Sequence, residues 1–381
     1  MSTQKSPWEG IRKFLNDVHL WLGIASGIIL FIVCFTGTVY TFHSEIVEFI
    51  DSEKYEVKNE GSSLSIEQLS EVVSEIVEGQ VSSVSIPDDA EKAYQVSVRK
   101  EGERRGTTYL VNQYTGEVLG NTQSSSSEFF MVMFRLHRWL MLDTSIGRPI
   151  VGWATVMFVI IIITGLVIWF PKKIKNWRQG LKIKWDANWK RINHDLHNAL
   201  GIYTAVFLLI MGLTGLQWSF EWYRTGLRNV LGVNNERREA PEEDVVIDSS
   251  GESLSYEELI SIAERELDYS GTYRVEISEN PILSIRKYES GFFASPSSDL
   301  VEINRFNGEV VRKSLFSDKP FNEQVAGSIK ALHVGDVFGV FSKIIYFVSC
   351  LIATSLPVTG TIIWINKLRK KKKRSKALAA A

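Results

Sequence analysis

Four long apolar runs alternate with polar stretches along the chain. Leu20–Phe42, Ile150–Phe170, Leu200–Phe220 and Ile344–Ile365 each reach the length of about 20 apolar residues that a helix needs to cross a bilayer. The first run is too long for a signal-peptide core, and no small-residue cleavage site follows it, so it predicts a retained helix. The long polar stretches, roughly residues 43–147 and 221–340, carry other periods. Ser65 and Ser255 precede apolar positions at helical spacing (Leu69, Val72, Val73, Ile76, Val77; Leu259, Ile260, Ile262, Ala263, Leu267). Gln68 and Glu258 stand three residues after those serines, which predicts two capping boxes. Alternating stretches follow at Ala93–Val98 and Tyr273–Ile277, and read as half-buried strands. Thr115-Gly116 and Asn307-Gly308 mark turns between strands.

The two halves of the chain repeat each other. Leu64–Leu69 matches Leu254–Leu259 at an offset of 190 residues, and Asn112–Val118 matches Asn304–Val310 at 192. His19 is followed by Gly23 and by Thr36-Gly37, and His197 by Gly201 and Thr214-Gly215, with both glycines at the same distances of four and eighteen. Leu136-His137 leads to Thr164-Gly165, and Leu332-His333 leads to Thr359-Gly360. The repeated unit is helix, outer domain, helix. The expected fold is therefore a duplicated membrane protein: an all-α four-helix transmembrane bundle carrying two outer α+β domains.

Charge sets the expected orientation. Lys172, Lys173, Lys175, Arg178, Lys182, Lys184, Lys190 and Arg191 fill the link between the second and third runs. Lys367 and the unbroken Arg369–Arg374 follow the fourth run, and Lys5, Arg12 and Lys13 precede the first. Such residues stay on the cytoplasmic side. The stretch Glu45–Glu128 holds 17 acidic against 7 basic residues, a net charge of −10. This divides the chain into a cytoplasmic N-terminus (1–19), a first span (20–42), a first outer domain (43–130) and an interfacial segment (131–149). A second span (150–170), a basic cytoplasmic loop (171–196), a third span (197–220) and a second outer domain (221–330) come next. A second interfacial segment (331–343), a fourth span (344–365) and a basic cytoplasmic tail (366–381) complete it. Cys34 and Cys350, the only cysteines, fall inside apolar runs and read as small buried hydrophobes.

All six histidines lie at the ends of the apolar runs. A single histidine at a membrane boundary is usually an interfacial polar residue. Two repeat-related pairs on opposite faces ask for more. If both halves have the same orientation, a pseudo-twofold axis runs along the membrane normal. His19 then faces His197 near the cytoplasmic surface, and His137 faces His333 near the outer one. Opposed imidazoles suit the iron of a six-coordinate b-type haem, and four helices around an axis supply a cavity. The expected cofactors are two b-type haems with His19, His197, His137 and His333 as axial ligands to iron. His194 is an alternative to His197. His43, matched by Glu221 in the second half, is an alternative outer ligand or a proton or substrate group. Gly37 and Gly215 lie about 27 Å along their helices from the inner histidines, and would let backbone approach a flat macrocycle. Arg135, Arg138, Arg148 and Lys343 are outer candidates for propionate partners, and Arg12 and Arg191 inner ones.

The order His19 to Thr36-Gly37, Leu136-His137-Arg138-Trp139, Gly147-Arg148-Pro149, His197 to Thr214-Gly215 and Leu332-His333-x-Gly335 resembles the PepSY-associated transmembrane proteins. These are also called iron-regulated membrane proteins, of bacterial inner membranes. The outer domains are similar to PepSY domains, and the resemblance covers nearly the whole chain. It implies a di-haem reductase that passes electrons across the inner membrane to a ferric siderophore in the periplasm, freeing iron as Fe(II). No nucleotide-binding glycine motif occurs, so a quinol or a separate cytoplasmic reductase is expected to donate. Two other readings stand beside it. One is a non-enzymatic PepSY module regulating a peptidase or sensor, and the other a siderophore or haem permease, for which four helices are few.

Overall fold

The computed structural model describes residues 7–103, 106–171, 174–233 and 252–379. Lys5, Lys172 and Lys173, three of the cations behind the expected orientation, lie outside the described residues.

In chain order, α1 (Pro7–Tyr40) leads through α2 (His43–Ile50) and α3 (Ser52–Tyr55) to α4 (Ile66–Ile76). Strands β1 (Gln80–Ile86), β2 (Tyr94–Arg99), β3 (Thr107–Val111) and β4 (Val118–Asn121) follow, then α5 (Ser127–Trp139) and α6 (Thr144–Trp169). The second half repeats the plan with α7 (Trp189–Gly215), α8 (Glu221–Val230) and α9 (Tyr256–Glu266). It continues through β5 (Gly271–Glu276), β6 (Ile282–Glu289), β7 (Ser298–Asn304) and β8 (Val310–Ser314). Two short helices, α10 (Phe321–Gly327) and α11 (Ile329–Val334), precede α12 (Gly339–Ala379).

Helices α1, α6, α7 and α12 are each long and apolar enough to cross a membrane. Their packing is a ring: α1 and α7 each touch both α6 and α12, so α1 stands diagonal to α7. Helix α1 begins at Pro7 and α7 at Trp189, well before the apolar runs they contain. His19 and His197 therefore lie inside helices rather than at their starts. The expected first turn of the outer helices is borne out. Ser65 and Ser255 each cap through their side chains, and Gln68 and Glu258 close the boxes, satisfying N–H groups that a helix start otherwise leaves unpaired.

The α+β regions of the two halves are joined by one ladder. β1 pairs antiparallel with β5, placing Val84 opposite Val275 and Ser85 opposite Arg274. All strands join one eight-stranded antiparallel sheet in the order β4-β3-β2-β1-β5-β6-β7-β8. A single core lies between this sheet and helices α4 and α9, with Leu69, Val84, Val96, Leu259, Val275 and Ile285 fully shielded. The helix starts are also cross-tied. Glu257 accepts from the Ile66 N–H at 2.9 Å, and Glu67 accepts from the Tyr256 N–H at 3.1 Å. Burying the β1 and β5 edges against each other removes two templates for aggregation. Each half alone would leave one exposed.

Candidate functional site

The sites follow from where the duplicated helices put four imidazoles. On the diagonal helices α1 and α7, His19 and His197 point at each other across the bundle, with ring centroids 6.4 Å apart and planes at 88°. At the sheet end, α5 packs on α1 and α6, and α11 packs on α7. These short helices bring His137 and His333 to 6.3 Å, with planes at 61°. The two pairs are separated by the 18 residues from His19 to Gly37, against which His137 lies, about 27 Å of helix rise.

One local motif seats every imidazole. His19 meets Gly165 of α6, His197 meets Gly360 of α12, His137 meets Gly37 of α1, and His333 meets Gly215 of α7. A Cβ at these glycines would fall 3.2, 3.2, 3.1 and 2.9 Å, respectively, from the ring carbon Cε1. The carbonyl four residues before the glycine then takes up Nδ1 in three of the four sites. It is Ile161 for His19 (3.0 Å), Val33 for His137 (2.9 Å) and Met211 for His333 (3.0 Å). His197 places Nδ1 2.9 Å from the Thr359 hydroxyl, whose own proton is directed at Ser355 and Leu356, and the Leu356 carbonyl, four residues before Gly360, also bonds the ring. Carbonyls and an already-donating hydroxyl can only accept, so Nδ1 carries the proton in all four rings. The lone pair is left on Nε2, and no hydrogen bond among the described residues engages Nε2 in any of the four. Fixing the tautomer through the far nitrogen is how proteins prepare histidine to bind metal.

The Thr-Gly pairs thus have a job that the sequence did not name. Each cradles the imidazole of a neighbouring helix, and Gly165 and Gly360 also line the inner cavity. Open space lies instead at Gly23 and Gly201, four residues after the inner histidines, where an added Cβ would meet nothing within 4 Å. Both line a cavity of about 450 Å³ that also contains His19, His197, Gly27 and Gly360. The sequence showed Gly23 and Gly201 as repeated; their position on the cavity wall needed the fold.

Two metal–imidazole bonds of about 2 Å each, plus the ring radii, put trans imidazole centroids about 6 Å apart. Both pairs meet that spacing. Among the described residues no group of three or more His, Cys, Asp or Glu gathers to hold an ion. Two nitrogens per site leave the equatorial positions of an iron to a flat prosthetic group, and a haem with two axial histidines fits these residues.

His43 stands outside both pairs. It stacks on Tyr40 at 4.8 Å and meets Phe130 edge-on at 4.6 Å, and burial holds its pKa below the usual value. His194 lines the inner cavity but bonds Asn198 at 3.2 Å and lies 3.6 Å from Asp195. Of the expected propionate partners, Arg12 lines the inner cavity while bonding the Ile168 and Phe170 carbonyls. Arg191 is paired with Asp195 at 2.8 Å and Lys343 with Glu45. Lys367, not foreseen, lines the inner cavity. Arg138 lies close enough to His137 and His333 to disfavour their protonated forms, and burial, followed by Arg148, lowers its own pKa.

The chain belongs to the PepSY-associated TM region family, whose profile matches residues 17–367. That span includes all four paired histidines and both halves of the sheet. Among curated proteins, none matches the chain.

Proposed function

We propose that this protein is a haem-dependent oxidoreductase of the bacterial inner membrane. It carries electrons from a cytoplasmic or quinol donor to a ferric siderophore, or another ferric chelate, in the periplasm and releases Fe(II). Both termini are cytoplasmic and the sheet periplasmic in this reading, as the basic residues at the terminal end favour. The observation that carries it is the paired geometry: two pairs of imidazoles, with ring centroids 6.4 and 6.3 Å apart, at two depths of one bundle. A haem bound at each pair supplies one-electron redox chemistry.

The residues of the chain account for the rest. Ile161, Val33 and Met211 hold their histidines in one tautomer through backbone carbonyls, and Thr359 does so for His197. Gly23 and Gly201 keep the cavity wall flat. Arg12 and Lys367 are available to pair with propionates at the terminal end, and Arg138 with Arg148 at the sheet end. Ile162, Ala205, Leu208 and Ala353 cluster in the bundle and give the inner cavity an apolar wall. The Fe(III)–siderophore is substrate. Gain of one electron weakens its hard-oxygen coordination.

Anaerobic stopped-flow tests this reading. Dithionite-reduced protein is mixed with a ferric hydroxamate, and Fe(II) is trapped by a ferrous-specific chelator. Reoxidation of the haem bands with matching Fe(II) release is expected. A red protein that keeps its reduced spectrum against ferric hydroxamate, catecholate and citrate would refute the reductase assignment.

A further inference from the structure

The β6–β7 connection carries Phe292 and Phe293 next to each other, half or more exposed at 50% and 65%. Their rings meet edge-on at 5.0 Å, and Phe293 lies 5.3 Å from Phe341 in the first turn of α12. The connection is fastened there by backbone. The Phe341 N–H donates to the Phe292 carbonyl at 3.3 Å. Gly339, with φ of +58°, lets α12 begin so close that a Cβ would fall 2.6 Å from the Phe292 oxygen. Phe338 and Phe341, themselves 63% and 45% exposed, widen the patch.

Depth follows from helix rise. Phe341 precedes the apolar run at Ile344 by three residues, about 4.5 Å along the axis. The polar zone on each side of a bilayer core is of order 5–8 Å thick, so the three rings lie within it. Phenylalanines clustered at that level, in a loop of an otherwise water-facing domain, lose unfavourable contact with water by resting among lipid headgroups and upper acyl chains.

Duplication supplies a comparison. The corresponding β2–β3 connection of the first half begins Lys100-Glu101-Gly102-Glu103 and is exposed, with Lys100 paired to Glu78 at 3.0 Å. The same topological position is charged in one half and aromatic in the other. We propose that Phe292 and Phe293 form a lipid-interface anchor, which holds the sheet against the bilayer on the second-half side while the β2–β3 connection stays in water. This anchor is independent of haem and of any reductase activity.

Spin-label depth measurements test it on the full chain in phosphatidylcholine–phosphatidylglycerol nanodiscs. Labels are placed by Phe293→Cys, Glu101→Cys, Ser74→Cys on α4 and Val348→Cys on α12, with Cys34 and Cys350 changed to alanine. At 293 collisions with oxygen are expected to exceed those with a nickel chelate, as at 348, with the opposite at 101 and 74. A 293 label as open to the chelate as 74 overturns the anchor. In case the cysteine-free chain misfolds, benzoylphenylalanine at 293 in the otherwise native chain gives a second readout. Photolysis is expected to yield lipid adducts by mass spectrometry; none at 293, with adducts from the same group at 348, overturns it.

Discussion

Gly215 of α7 lies against the ring of His333: a methyl group there would come 2.9 Å from Cε1. No real Cβ tolerates that distance to a fixed atom, so Gly215→Ala must turn the imidazole away from His137 or push α7 and α11 apart. Overpacking of this kind costs about 1–3 kcal/mol. Loss of the sheet-end cofactor with a lower melting temperature is the expected result, measured as haem per chain and by thermal melting. Gly165→Ala, with 3.2 Å to His19, should be milder. Full occupancy of both sites in Gly215→Ala would show that the cradle is not needed.

The threonines rank differently. His19 and His333 each keep a carbonyl acceptor, at 3.0 Å, besides the threonine hydroxyls at 3.2 Å. His197 also has a carbonyl, that of Leu356, but its threonine is nearer, with Thr359 at 2.9 Å. Removing such an outer partner commonly weakens metal affinity about 10–100-fold. Thr359→Val should therefore loosen the terminal-end cofactor more than Thr164→Val, read by haem transfer to apomyoglobin. Equal transfer rates in the two variants would contradict this ranking.

The two halves of the sheet should unfold together. Glu67 and Glu257 each accept a backbone N–H from the other half's helix, and Val84 pairs with Val275 across the junction. Removing one such acceptor costs on the order of 1 kcal/mol. Glu67→Ala is expected to raise amide exchange around α9 as well as α4. Exchange that rises only in the first half would mean two independent folding units.

Acid should release the sheet-end site through His333. Burial, followed by its neighbour His137, holds the His333 pKa down to about 4 from an ordinary 6.5. Burial also lowers that of His137. The folded chain then binds fewer protons than the unfolded one, so the stability is complete above 6.5 and falls as pH drops from 6.5 toward 4. Protons also compete with iron for Nε2. Both melting temperature and haem absorbance should decline across that window; a flat profile to pH 4 would speak against neutral, buried imidazoles at this site.

Much of this arrangement was legible in the sequence. Capping boxes at Ser65 and Ser255 are local signals, readable from three residues. The pairing of histidines came from the repeat, because a duplication turns spacing into symmetry. What escaped reading depended on long-range contact. The β1–β5 ladder joins residues some 190 apart, and nothing in the Ser83–Ile86 alternation names Tyr273–Glu276 as its partner. The glycines of the Thr-Gly pairs were visible, yet whether an imidazole or a macrocycle fills the space above them is decided by the neighbouring helix. Arg191 looked free for a propionate until Asp195, one turn on, took it up.

The pyridine haemochrome assay on purified protein and single histidine variants is the most direct test of the two opposed pairs. Two haem b per chain are predicted for the native protein. One should remain in each of His19→Ala, His197→Ala, His137→Ala and His333→Ala, and two in His43→Ala and His194→Ala. A colourless native protein from haem-replete cells, or a His43 variant that loses one haem while the His137 variant keeps both, would contradict the assignment.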